Sequence, residues 1–120
     1  MNRLFKSFGY AITGLKLFFR KEKNGQVELF AGILAVLLGF LLHISQTEWC
    51  VVLLCIGGVI ALEISNSALE KLCNHLHPEK HSNIKIVKDF AAAAVLWFSM
   101  IAFVIGLIIF LPKTLSFFLH

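Results

Sequence analysis

A chain of 120 residues that is 58% hydrophobic and only 15% charged cannot be a small soluble domain, because too much apolar surface would be left in water. Its net charge of +4 comes from Lys and Arg that form no basic cluster interleaved with exposed aromatics, which excludes nucleic acid as a partner. Twelve Phe, two Pro and continuous apolar runs, without the alternation of barrel strands, predict an all-α membrane protein with one domain over residues 1–120.

Residues 3–20 are expected to form an amphipathic helix lying in the membrane interface. Phe5, Phe8, Ile12, Leu15 and Phe19 recur at helical spacing, with basic residues at the flanks. Arg3 and Tyr10 fall on the opposite side, towards water or a ligand. The start of the chain lacks a continuous apolar stretch and a cleavage site, so it does not read as a signal peptide. Residues 21–28 are expected to turn into the membrane, with Asn24-Gly25 as the turn signal, Glu22 just before the membrane and Glu28 opening the first span. Three spans are predicted, at about 28–44, 49–70 and 84–111. Ser45-Gln46-Thr47-Glu48 makes a tight connection, and Trp49 is an interfacial anchor. Gly57-Gly58 either permits close helix approach or marks a soft spot in the second span. Pro78 interrupts the polar segment 71–88, Ala91 to Ala94 offer a small-residue packing face, and Pro112 is expected to end the third span.

Of the Lys and Arg residues, six precede Gly25, none lies in 43–48, four lie between 71 and 88, and one follows Pro112. The positive-inside rule then places the N-terminus and the 71–88 segment in the cytoplasm and the C-terminus outside. Cys50, Cys55 and Cys73 have neither CxxC nor metal-site spacing, and no disulfide is expected.

The chemistry concentrates in Glu63-Ile64-Ser65-Asn66-Ser67-Ala68-Leu69-Glu70, at the inner end of the second span. At about 100° per residue, Glu63, Asn66, Ser67 and Glu70 share one helix face. Ionisable groups at that depth are costly and point to function, the alternative being polar glue between helices. Glu22, Glu28, Glu63, Glu70, Glu79 and Asp89, with Asn66, Lys88 and His81, gather on the same side. An oxygen-rich, cysteine-free set suits Mg²⁺, which takes one or two carboxylates plus substrate phosphates. Lysines could hold the phosphates, and a spare carboxylate could accept a proton from a hydroxyl nucleophile. Together these residues suit phosphoryl transfer to a molecule lying in the membrane. No Walker A loop, kinase glycine loop or nucleophile elbow is present. His77 and His81 flank Pro78 and read as loop histidines, not zinc ligands.

In Glu63-x-x-Asn66-Ser67-Ala68-x-Glu70, in Lys88-Asp89 followed by small residues to Ala94-Val95, and in Gly9-Tyr10-x-x-x-Gly14-Leu15, the chain resembles the small prokaryotic integral-membrane lipid kinases. That family includes diacylglycerol kinase and undecaprenol kinase. The likeness runs from Arg3 to about Val95 without gaps, and the hydropathy pattern continues it to Leu111. It implies a homotrimer in the bacterial inner membrane, with active sites shared between neighbouring protomers and a membrane lipid and ATP as substrates. It further implies Glu63 as catalytic base and Glu22 and Glu70 as Mg²⁺ ligands. Arg3, Tyr10, Glu22, Glu70, Glu79, Lys80, His81, Lys88 and Asp89 match nucleotide-contacting positions, while Asn66 and Glu28 are supporting polar residues. The chain departs from the family pattern at Lys23-Asn24-Gly25-Gln26, at Asn74 where Asp is common, and at Ala91-Ala92, which is closer to undecaprenol kinases. The competing reading of the residues is a non-catalytic pore former or assembly factor. A pore needs a polar stripe along a whole span, and residues 49–62 carry none.

Overall fold

The computed structural model describes residues 2–76 and 82–119, and every secondary-structure element among them is a helix. The order is α1 (Asn2–Lys21), α2 (Lys23–Leu42), α3 (Gln46–Leu76) and α4 (Ser82–Leu119). By length and composition, α2, α3 and α4 are each able to cross a membrane. At a rise of about 1.5 Å per residue, the 38 residues of α4 account for the 58 Å long axis of the molecule. α3 is the central element: it packs on both α2 and α4, and α1 packs on α2.

α1 keeps its hydroxyls helical, since Ser7 Oγ donates to the Arg3 carbonyl at 3.0 Å and Thr13 Oγ1 to the Gly9 carbonyl at 2.9 Å. Arg20 and Lys21 fill its last turn, where the helix dipole favours cations. The break into α2 is a single residue. Glu22 has extended backbone (φ −92°, ψ 116°), while its N–H still reaches the Phe18 carbonyl at 2.8 Å. The Gln26 amide then donates to the Phe19 and Arg20 carbonyls at 3.1 and 3.0 Å, satisfying groups that the end of α1 leaves open.

The expected turn at Asn24-Gly25 is therefore corrected: both residues lie in the first turn of α2, which starts five residues before Glu28. Gly25 serves packing instead, because a Cβ there would overlap the Phe18 ring. Gly32 and Gly39 continue that seam at seven-residue intervals, so all three fall on one face. They are the buried residues of α2, and a Cβ would meet Ile56 at 2.9 Å or Trp49 at 2.7 Å.

At the far end, His43 closes α2 in the left-handed region (φ 53°), which non-glycine residues seldom adopt, and its N–H returns to the Gly39 carbonyl. Ser45 and Glu48 then form a reciprocal capping box. The Ser45 N–H donates to Glu48 Oε1 at 2.9 Å, and the Glu48 N–H donates to Ser45 Oγ at 3.2 Å. Ile44, Val52 and Ile109 form the small buried core here, with Trp49 against it.

Pro112 does not end the helix that carries the third predicted span, contrary to the expectation from sequence. α4 continues through it to Leu119. A proline forfeits one backbone hydrogen bond, but Lys113 immediately beyond pairs with Glu48 at 3.4 Å and ties the last turns of α4 to the start of α3. The other helices also begin earlier than expected, α3 at Gln46 and α4 at Ser82.

Close approach is the outcome at Gly58, where a Cβ would overlap the Phe98 ring, whereas Gly57 faces open space. Gly58→Ala is expected to destabilise the bundle by about 1–3 kcal/mol, the usual cost of overpacking. Detergent-micelle unfolding titrated with SDS measures it, and a value at or below zero would contradict the packing described.

Few side chains are buried within one chain. Phe18, Ile44, Val52, Cys73 and Ile109 are the buried apolar residues among those described, while Phe30, Leu54, Trp97 and Ile108 are among many exposed ones. Such outward apolar surface is what a lipid solvent accommodates. Three of Ala91 to Ala94 also face outwards.

Candidate active site

The polar groups converge where α3 passes the start of α2. Glu63, Asn66 and Ser67 are the buried polar side chains of the described chain, at 4%, 7% and 8% exposure, and all three belong to one face of α3. The periodicity of the octet is thus realised in three dimensions. Glu70, one turn further, is exposed and accepts from Asn66 Nδ2 at 3.4 Å. The i to i+4 spacing on a continuous helix makes that contact available.

Because α2 starts at Lys23, its first turn lies over this face. Asn24 Nδ2 donates to Glu63 Oε1 at 3.4 Å, linking residues 39 apart in sequence. Glu22, at the α1–α2 break, accepts from Lys71 Nζ at 2.9 Å. Two buried oxygens, Glu28 Oε2 and Asn66 Oδ1, have no hydrogen-bond partner among the described residues. Each is an acceptor left open for a hydroxyl, water or cation.

The start of α4 adds the basic residues. Lys88 Nζ donates to Asn74 Oδ1 at 2.8 Å, joining α4 to α3. Lys85 pairs with Asp89 at 2.6 Å on one helix face. Arg3 and Tyr10 lie exposed on α1. Glu79, Lys80 and His81 lie outside the described residues.

Sequence reasoning missed two members of this cluster. Asn24 has the composition of a turn residue beside Gly25, and Lys71 is one of four lysines in the polar segment 71–88. Their partners are distant in sequence, and no local spacing signals them. Glu28 is also flanked by an apolar cavity of about 410 Å³ between α2, α3 and α4, with Gly32, Cys55, Ile56 and Phe103 on its walls.

For a cation, the donor set is oxygen-only, and the Glu22 carboxylate already holds an ammonium at 2.9 Å. Among the described residues no three His, Cys, Asp or Glu side chains stand close enough to hold a metal by themselves. A pair of carboxylates completed by phosphate oxygens is the arrangement Mg²⁺ usually takes.

Residues 9–110 match the sequence pattern of the family described as prokaryotic diacylglycerol kinase. The chain belongs to that family. As a prokaryotic diacylglycerol kinase relative it is a lipid kinase, and the pore-former and assembly-factor alternatives are set aside. Among its relatives, an undecaprenol kinase of Bacillus subtilis is 41% identical over 113 residues, covering 94% of this chain and 92% of that protein. A diacylglycerol kinase of Synechocystis is 33% identical over 114 residues, covering 94% of this chain and 65% of that protein. One from Haemophilus influenzae is 30% identical over 95 residues, covering 79% and 80%.

Proposed function

We propose that the chain transfers the γ-phosphoryl group of MgATP to the hydroxyl of a membrane lipid, with undecaprenol as the acceptor. The observation that carries this reading is Glu63: a carboxylate buried near the middle of a helix long enough to cross a membrane, held by Asn24 and flanked by Asn66 and Ser67. Measured from Trp49, it lies about 21 Å along α3, deep enough to meet an alcohol at the edge of the hydrocarbon. The apolar cavity that Glu28 lines offers room for the first part of a lipid chain.

Glu63 accepts the proton of the lipid hydroxyl as its oxygen attacks the γ-phosphorus. The bond from that phosphorus to the bridging oxygen breaks, and ADP leaves. Asn24 orients the accepting carboxylate. Lys88, with Arg3, Tyr10 and Asp89, contacts the nucleotide, as do the Glu79, Lys80 and His81 positions. Glu22 and Glu70 would hold Mg²⁺, which when bound would offset charge on the phosphates. Asn66 positions Glu70, and Glu28 accepts a hydrogen bond near the lipid head.

The reading further places α1 in the inner-leaflet interface of the bacterial cytoplasmic membrane, with Phe5, Phe8 and Ile12 towards lipid and the N-terminus inside. The C-terminus lies outside, in keeping with the distribution of Lys and Arg. Active sites are shared between protomers of a homotrimer, which covers part of the exposed apolar surface and brings exposed residues of α1 to a neighbour's site.

The preference for undecaprenol rests on the similarity to the Bacillus subtilis undecaprenol kinase. Purified protein given labelled ATP and the two lipids in separate micelles is expected to label undecaprenol at least about tenfold faster, a difference of about 1.4 kcal/mol in transition-state binding. Faster labelling of diacylglycerol would reverse the substrate assignment, and labelling of neither would refute the function.

A further inference from the structure

Lys71 follows Glu70 directly, and its ammonium rests on Glu22 Oε1 at 2.9 Å. The two partners are unequally held. Glu22 is fixed at the helix break, with its N–H on the Phe18 carbonyl and its own carbonyl accepting from the Gln26 N–H at 3.1 Å. Its side chain is only 28% exposed, whereas that of Lys71 is 72% exposed on a flexible four-carbon stem. An ammonium and a divalent cation cannot share one carboxylate oxygen without strong mutual repulsion. An ion pair this exposed is weak, so a divalent cation displaces the lysine, and the carboxylate stays in place. On α4, Lys85 rests on Asp89 and Lys88 on Asn74, so neither lysine neutralises Glu22. Once freed, the Lys71 ammonium remains tethered one residue from Glu70.

We propose that Lys71 is a resident counterion of the site: it neutralises Glu22 before metal arrives, yields that carboxylate to the metal, and then binds the phosphates of the nucleotide. This rests on Glu22 being a metal ligand, so the test must separate the two statements. The full chain in detergent micelles is titrated with Mn²⁺ in the absence of nucleotide, with free Mn²⁺ counted by electron paramagnetic resonance. Lys71→Gln is expected to bind Mn²⁺ about two- to fivefold more tightly, the range an exposed ion pair supports. Lys71→Arg should stay near wild type. In kinase assays the loss in Lys71→Gln falls on KM for ATP more than on kcat, and Lys71→Arg largely restores it. A titration or an ATP KM in Lys71→Gln equal to wild type overturns the proposal, provided Glu22→Gln loses the Mn²⁺ site. If Glu22→Gln binds Mn²⁺ as wild type does, the metal assignment fails and the counterion role falls with it.

Discussion

Glu63→Gln is expected to lower turnover by about 10²–10⁴-fold, the range that a positioned general base contributes, while the protein still folds and assembles. The substitution keeps the size of the side chain and an oxygen that can accept the amide of Asn24, now at 3.4 Å from Glu63. It also removes a charge from a position only 4% exposed. Stability should therefore hold or improve, since a buried carboxylate costs more to desolvate than an amide. What disappears is the capacity to take a proton from the lipid hydroxyl. Transfer of label from ATP to lipid in mixed micelles measures turnover, and chemical cross-linking with size-exclusion chromatography follows assembly. Substantial turnover in a properly assembled variant would remove Glu63 from the role of base.

The second large effect is expected at Glu70. Glu70→Gln retains an oxygen able to accept the Asn66 amide but loses the charge that a hard cation requires. With only Glu22 left as a charged ligand, the Mg²⁺ concentration for half-maximal rate should rise by at least about 10- to 100-fold, the scale on which weaker perturbations around metal sites already act. Asn66→Ala should move in the same direction by a smaller amount, because Asn66 orients the ligand and does not carry its charge. An unchanged Mg²⁺ dependence in Glu70→Gln would place the metal elsewhere.

The part of this site that was legible in the sequence is the part built on one helix. Glu63, Asn66, Ser67 and Glu70 were readable as one face because helical periodicity is a local property, and three apolar runs foretold three membrane-length helices. Contacts between helices left no such trace. Asn24 reaches Glu63 and Lys71 reaches Glu22 across separations of 39 and 49 residues, and neither partner announces the other by spacing.

Local signals were also misjudged where tertiary packing outweighed them. Asn24-Gly25 has the composition of a turn, yet Gly25 is kept small by the Phe18 ring, and the chain breaks at Glu22 instead. Pro112 ordinarily stops a helix, yet α4 runs through it to Leu119, with Lys113 just beyond it paired with Glu48. Two features could have been found from sequence alone. Ser45-x-x-Glu48 is the spacing of a capping box, and Gly25, Gly32 and Gly39 recur every seven residues, which marks a smooth helix face.

The most direct test is an experimental structure of the assembled protein with Mg²⁺, a non-hydrolysable ATP analogue and a lipid alcohol. The metal should lie about 2.0–2.1 Å from carboxylate oxygens of Glu22 and Glu70, with the lipid hydroxyl within about 2.6–3.2 Å of Glu63. A nucleotide-bound metal seated away from both carboxylates, or a lipid hydroxyl out of reach of every Glu63 in the assembly, would contradict the proposed chemistry.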